Sequence, residues 1–356
     1  IPALSLALMA LLLAVSANIG VSTMVSSFRV TFVGFLDQRL APELYVFVEE
    51  ADASSAVEAA LVANADEVLP LYTRRGNAEG QLVEIEGIRV GRTYRDNWQF
   101  VGAESDVWEQ LQTGEAVIAN EQFARRADLW VGDRVQLAGE ARRLAGIVSD
   151  YGNPMGQITL GESLYNALYP EDRAQRFGAR TTDPAALRNS VQAATGLPDS
   201  AFIDQQEIKA FSIQVFDRTF TVTGALNILT LTVAAFAMLT SLLTLAELRI
   251  PQLAPAWALG LTRRELGRLE MARTLALAGM VCVLALPLGL ALAWVLLNII
   301  NVEAFGWRLP MFLFPWDYAR LWALALVAAF LATLWPAMRL ARIAPSKLLK
   351  VFASEN

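Results

Sequence analysis

Residues 220–245 read FTVTGALNILTLTVAAFAMLTSLLTL, twenty-six positions without a charged side chain. A bilayer core about 30 Å thick is crossed by a helix of about 20 apolar residues, so this stretch is long enough to span. Three others share its character, residues 2–25, 269–300 and 318–338, and none carries a charge at its centre. One stretch opens the chain and three close it, with about 190 mostly polar residues between the first and second. Both ends of that insert are therefore tied to the membrane, a plan suited to moving or pulling something rather than to soluble chemistry.

Composition agrees. Of 356 residues 55% are hydrophobic and 18% charged, with a mean hydropathy of +0.39; a soluble domain carries about 25% charged residues. A net charge of −6 weighs against nucleic acid, whose phosphates require a basic face. The chain has no His, which removes Ser-His-Asp and Cys-His nucleophilic sites and most zinc sites. Cys282 is the single cysteine and lies within an apolar stretch, so no intramolecular disulfide forms. The start, Ile1, lacks the basic region of a signal peptide. Ser16, Asn18, Gly20 and Ser22 continue into Phe28 and Phe32 as in a helix that stays. Ile1 reads as the edge of a fragment from a longer protein.

The flanking charges orient the spans. Arg249, Arg263, Arg264 and Arg268 lie between the second and third, Arg273 follows, and Arg339, Arg342, Lys347 and Lys350 lie at the end. The loop between the third and fourth spans has Arg308 against Glu303 and Asp317. Because Lys and Arg gather on the cytoplasmic side, residues 249–268 and 341–356 are predicted inside and the insert outside. The first helix should continue as a stalk to residue 37 through Phe28, Phe32 and Phe35. Pro287 and Gly289 are tolerated within the third span, where neighbours re-satisfy the backbone. Trp307 and Trp316 bracket the outer loop as interface anchors. Gly224, Ala234, Ala235, Ala237 and Ser241 suit close helix packing.

The insert reads as mixed α/β. Strands are expected at 44–48, 68–74, 81–85, 176–181 and 201–204. Ser54 should cap a helix to residue 64, and Asp183-Pro184 should open another with Pro at its first position. These are two β-α-β units separated in sequence, the halves of a split ferredoxin-like layer, over residues 38–92 and 172–212. Between them, residues 93–171 form an inserted β-rich subdomain with strands at 115–119, 134–137, 144–149 and 157–160 and a turn at Gly132-Asp133. Asp150, Asn153, Glu162 and Asp172 lack the spacing of a metal loop. Glu84 and Glu86 share one face of a strand and read as a solvated edge.

Three stretches together resemble the FtsX-like permeases, the membrane subunits of MacB-type (type VII) ABC transporters. They are Val215-Phe216-Asp217-Arg218-Thr219-Phe220, then Ala258-Leu259-Gly260-Leu261-Thr262-Arg263-Arg264-Glu265-Leu266, then Trp335-Pro336-Ala337 with Arg339, Arg342 and Ala344-Pro345. The resemblance covers nearly the whole chain, Gly132-Asp133-Arg134-Val135 included. It implies a membrane α-helical protein of four spans (1–37 with its stalk, 213–248, 269–300 and 318–340) carrying a periplasmic porter-like α/β layer. No G-x-x-x-x-G-K-[ST] phosphate loop occurs, so a separate ABC-type ATPase is the implied partner. It would dock on residues 249–268, where a short helix over 255–266 presents Trp257, Leu259, Gly260 and Leu261 beside Arg263 and Arg264. The family implies mechanical movement of the outer domain, for export or extraction of a lipid, lipoprotein or hydrophobic peptide, in a bacterial inner membrane. No enzyme activity and no cofactor are implied, and a periplasmic partner protein is. Arg249-Ile250-Pro251 departs from the family's coupling segment in lacking its acid; the missing amphipathic cytoplasmic start, with Phe305-Gly306-Trp307 in the outer loop, looks like the second half of a duplicated permease of about ten helices, with two halves in a dimeric arrangement. The competing class is a membrane-tethered sensor or assembly protein, which a co-purifying ATPase would exclude.

Overall fold

The computed structural model describes residues 2–151, 155–258 and 262–341. The chain falls into two compact units. One comprises residues 1–28, 218–300 and 310–356, the other residues 29–217 and 301–309.

The first helix, α1, runs unbroken over Pro2–Arg39. In the second unit it is followed by β1 (Leu44–Phe47), α2 (Ser54–Asn64), β2 (Glu67–Ala78) and β3 (Gln81–Ile88). Next come α3 (Arg92–Asn97), β4 (Phe100–Ala103), α4 (Val107–Thr113), β5 (Ala116–Asn120) and α5 (Glu121–Arg126). Then follow β6 (Arg134–Leu137), β7 (Glu140–Val148), β8 (Gly156–Gly161), α6 (Glu162–Leu168), β9 (Arg176–Arg180), α7 (Pro184–Thr195) and β10 (Phe202–Asp204). The second long helix, α8, spans Gln205–Ala258, and α9 spans Arg263–Val295. A π-turn over Leu296–Ile300 leads into α10 (Asn301–Phe305), and α11 covers Pro315–Ala341.

The ten strands of the described residues join one sheet, in the order β10-β1-β9-β2-β3-β8-β5-β7-β4, with β6 beside β7 and touching β2. The first four of these neighbours pair antiparallel throughout. On one face of that part, α2 and α7 pack Val57, Leu61, Leu187 and Val191 onto Leu44, Val46, Phe177 and Phe202. Asp183 caps α7 by accepting the Ala186 amide, and Pro184 starts it, as its missing N–H permits. Ser54 does not cap α2: Ala53 holds that position, and the Ser54 hydroxyl donates to the Ala174 carbonyl at 2.6 Å. The expected strand at 68–74 extends to Ala78, because Glu79 and Gly80 both adopt positive φ in a two-residue turn whose twist matches the flanking strands.

The strands of residues 93–171 belong to this same sheet, entering through a parallel pairing of β3 with β8. This corrects the reading of Glu84 and Glu86 as a solvated edge, since β3 has β2 on one side and β8 on the other. Both α3 and β4 lacked any apolar alternation to announce them. Here Trp108, Leu111, Ile118 and Val148 form a smaller core.

Among the described residues, four helices are long and apolar enough to cross a membrane: Ser5–Arg39, Gln205–Leu243, Gly267–Phe305 and Pro315–Pro336. In the first unit their segments pack together. Leu11, Val15 and Ile19 of α1 pack with Leu231, Ala234 and Met238 of α8, Ala278, Cys282 and Ala285 of α9, and Ala325 and Ala329 of α11. Close approach is set by two glycines the sequence did not single out for it. A Cβ on Gly289 would sit 2.7 Å from Ile19, and one on Gly20 would sit 2.8 Å from Leu292. Gly224, by contrast, faces open space. Buried polar groups find partners across helices: the Thr23 and Tyr318 hydroxyls lie 3.0 Å apart, and the Thr230 hydroxyl donates to Asn18 at 2.9 Å.

A Cβ on Gly161 would lie 2.1 Å from the Leu111 carbonyl oxygen, a backbone atom that cannot swing aside. Gly161→Ala is therefore expected to destabilise the domain by about 1–3 kcal/mol, read as a lower unfolding midpoint of the full chain. An unchanged midpoint would show that β8 and α4 are not in this contact.

Candidate functional site

The predicted docking residues fall at the junction of two helices. Trp257 lies near the end of α8, Leu259, Gly260 and Leu261 lie outside the described residues, Arg263 opens α9, and Arg264 is exposed. The expected single short helix over 255–266 is not formed. The helix α8 continues through Pro251 and Pro255 to Ala258, and a new one starts at Thr262. The reason is local. The Thr262 hydroxyl accepts the Glu265 amide, and the Glu265 carboxylate accepts the Thr262 amide at 2.7 Å, a capping box that fixes a helix start. These bonds hold the Glu265 carboxyl below its usual range. The helix that carries the third span thus begins at Arg263, earlier than the apolar run alone suggested.

In the second unit, the end of α1 and the start of α8 lie side by side as paired stalks. Phe32 stacks on Phe216 with ring centroids 5.3 Å apart. Arg29 grips Asp217 through two bonds, Nε to Oδ1 at 2.8 Å and Nη2 to Oδ2 at 3.2 Å. Asp37 pairs with Lys209, and the Gln205 amide donates to the Leu40 carbonyl. None of these residues was predicted to pair. The signal existed: Phe28 and Phe32 against Phe216 and Phe220 repeat at one-turn spacing, with Arg29 and Asp217 between.

The outer loop between α9 and α11 belongs to the second unit over residues 301–309. Trp307 is no interface anchor there: it is 5% exposed, stacked on Phe305 at 5.2 Å and edge-on to Tyr151 at 6.3 Å. Tyr151 in turn meets Phe35 of the first stalk at 5.5 Å. Gly306, at φ +81°, turns the chain against Gln122, and the Arg308 amide donates to buried Glu121 at 3.4 Å. Trp316 is 69% exposed.

At the root of the stalks the sheet bears a cavity of about 280 Å³. It is lined by Arg39 and Leu40 at the end of α1, Tyr45 and Phe47 of β1, Glu86 and Ile88 of β3, and by Tyr94, Trp98, Phe177 and Ile208. Gly178 sits beneath, where a Cβ would strike Pro42 at 2.7 Å. The Arg39 guanidinium stands over the Trp98 ring, 4.5 Å from its centroid. Burial pushes the Glu86 carboxyl up to about 7, Arg39 opposing and Glu84 and Asp150 assisting. Elsewhere the candidate carboxylates are held by arginines. Glu162 accepts Arg89 Nε and Nη2, each at 2.7 Å, and Asp172 accepts Arg74 at 3.1 Å and the Tyr165 hydroxyl at 2.9 Å. Asn153 lies outside the described residues.

Residues 224–345 match the family described as FtsX-like permease C-terminal. The chain is 31% identical over 364 aligned positions to an uncharacterized ABC transporter permease protein of Mycobacterium tuberculosis, covering 95% of this chain and 42% of that protein. It therefore spans less than half the length of the curated relative it matches. Among solved structures, the extracellular domain of the noncanonic ABC-type transporter YknZ from Gram-positive bacteria aligns with 46% of this chain and 98% of its own, at 11% identity and TM-score 0.35. The periplasmic region of MacB from Actinobacillus actinomycetemcomitans aligns with 47% of this chain and 90% of its own, at 13% identity and TM-score 0.35.

Truncating Trp307 empties its packed site on Tyr151 and Phe305, so Trp307→Ala should destabilise by about 3–5 kcal/mol and open residues 301–309 to protease. Its indole N–H has no hydrogen-bond partner among the described residues, so Trp307→Phe should recover most of the loss. Trp316→Ala should leave the protease pattern unchanged. Equal effects of the 307 and 316 alanine variants would refute the packing role.

Proposed function

We propose, from the match of residues 224–345 to the FtsX-like permease C-terminal family, that the chain is the permease part of an ABC transporter whose separate ATPase works on the α8–α9 junction. Force applied there is carried along α1 and α8 to the extracytoplasmic domain, which moves as a lever. The observation that carries this reading is the pairing of the stalks through Phe32–Phe216, Arg29–Asp217 and Asp37–Lys209. Stalks held at several levels transmit displacement, whereas two independent tethers would absorb it.

The domain faces the outside, a reading supported by the arginines at 249, 263, 264 and 268 on the opposite end of the spans. Its first part is read as a split ferredoxin-like porter layer. Numbering the strands of the two β-α-β units one to four gives the order 4-1-3-2, all antiparallel, which supports that assignment. Residues 93–171 extend the layer as an insertion. Matching less than half of a longer bacterial permease supports one half of a two-half assembly in the cell membrane. The cargo class is a lipid, lipoprotein or hydrophobic peptide, handled together with membrane lipid and a periplasmic partner. A second reading, a membrane-tethered sensor, is favoured by the cavity at the stalk root, where an occupant would touch both stalk ends.

Apolar anchors seated in a partner groove contribute about 2 kcal/mol or more each. The double change Trp257→Ala with Leu259→Ala should release the co-purifying ATPase while leaving the chain folded in the membrane. Unchanged co-purification and unchanged stimulated ATP turnover would exclude the docking site.

The lever has its own test in a charge swap. Arg29→Asp places two carboxylates together on the stalks and should uncouple ATP turnover from transport, with the unfolding midpoint near that of the native chain because the pair is exposed. Adding Asp217→Arg should restore coupling. Failure of the second change to rescue the first would show that stalk pairing carries no force.

A further inference from the structure

The cavity at the stalk root presents a cation and a carboxylate that the chain itself does not join. Among the described residues neither Arg39 nor Glu86 enters a salt bridge. Arg39 lies over Trp98 instead, and Gln157 is the hydrogen-bonding neighbour of Glu86. Glu86 still feels the Arg39 charge. The rest of the wall is apolar or aromatic, with Phe47, Leu71, Ile88 and Phe177 prominent. Charges facing an apolar cavity without a direct partner are costly, and a guest bearing both opposite charges would relieve both.

We propose that this cavity binds a free zwitterionic amino acid with a large apolar side chain. Its carboxylate would meet Arg39, its ammonium would meet Glu86, and its side chain would lie against Leu71, Ile88 and Phe177. The volume, about 280 Å³, stands at the low end for small-molecule sites, and is far too small for a two-chain lipid. Arg176, which is exposed, also lines the cavity. A guest with only an ammonium would therefore meet two guanidinium groups unanswered, and one with only a carboxylate would meet Glu86. The charges select the guest that carries both. The assignment stands whether or not an ATPase works on this chain.

The site is also pH-dependent in a defined sense. The groups acting on Glu86 are Arg39 from the end of α1, Glu84 on its own strand, Asp150 after β7, Gln157 of β8 and Tyr94 of α3. As pH falls through about 7, Glu86 takes up a proton and the ammonium loses its ionic partner.

The test is calorimetric titration of the full chain in detergent micelles with L-phenylalanine, 3-phenylpropionate and phenethylamine. L-phenylalanine should bind at least about tenfold more tightly than either singly charged analogue, a difference of about 1.4 kcal/mol, and should weaken below neutral pH. Glu86→Gln should abolish the preference over 3-phenylpropionate together with the pH dependence. Arg39→Gln should sharply reduce the preference over phenethylamine, with Arg176 the cation that remains. Absence of L-phenylalanine binding, or equal binding of all three compounds by the native chain, would overturn the proposal whatever the variants do. Preferences unchanged in both variants, with native circular dichroism, would overturn the assigned roles.

Discussion

The structure depends on two helical stalks, far apart in sequence, lying side by side. Arg29 and Asp217 are the charged centre of that pairing, flanked by the Phe32–Phe216 stack and by Asp37 with Lys209. Each ionic contact is solvent-exposed, and exposed pairs contribute little alone. The aromatic stack supplies apolar area as well as preferred ring geometry, and the charges fix which turn of one helix meets which turn of the other. A sheet strand begins a few residues after Arg39 and another ends at Asp204, just before α8. The stalk register thus sets where β1 and β10 meet, and they pair Leu44 with Asp204.

That meeting decides the rest of the sheet. With β10 against β1 and β9 on its other side, each β-α-β unit crosses over one intervening strand, and α2 and α7 cover the layer. The long hairpin of β2 and β3 then carries the sheet beyond this layer, and the parallel β3–β8 pairing admits the remaining strands. A middle segment that looked separable by composition is therefore hydrogen-bonded into its host.

What was legible in the sequence followed periodicity and length. The four apolar runs, the Asp183-Pro184 helix start and most strands carry their own local signal. The misjudged features depended on distant neighbours. Glu86 alternates like a surface residue, yet flanking strands more than 60 residues away on one side bury its surroundings. Trp307 has the composition of an interface anchor, and only the presence of Tyr151 and Phe305 shows that it is packed. The junction at Thr262 is different, because its capping box was present in Thr262-Arg263-Arg264-Glu265 and was masked by the expectation of one continuous short helix. Pairing between stalks could not be read from either stalk alone.

The position of β1 between β10 and β9 bears on how the chain is made. Leu44–Phe47 leaves the ribosome roughly 130 residues ahead of its partner Arg176–Arg180, with Phe202–Asp204 later still. At about 5–20 residues per second that interval is on the order of 10 s. During it β1 displays two unpaired backbone edges, the arrangement most prone to joining a foreign strand. The β2–β3 hairpin can close at once, so the domain would assemble from its middle outward, its first strand waiting for its last. A factor that shields a nascent edge at the membrane surface would act on this strand before its partners emerge.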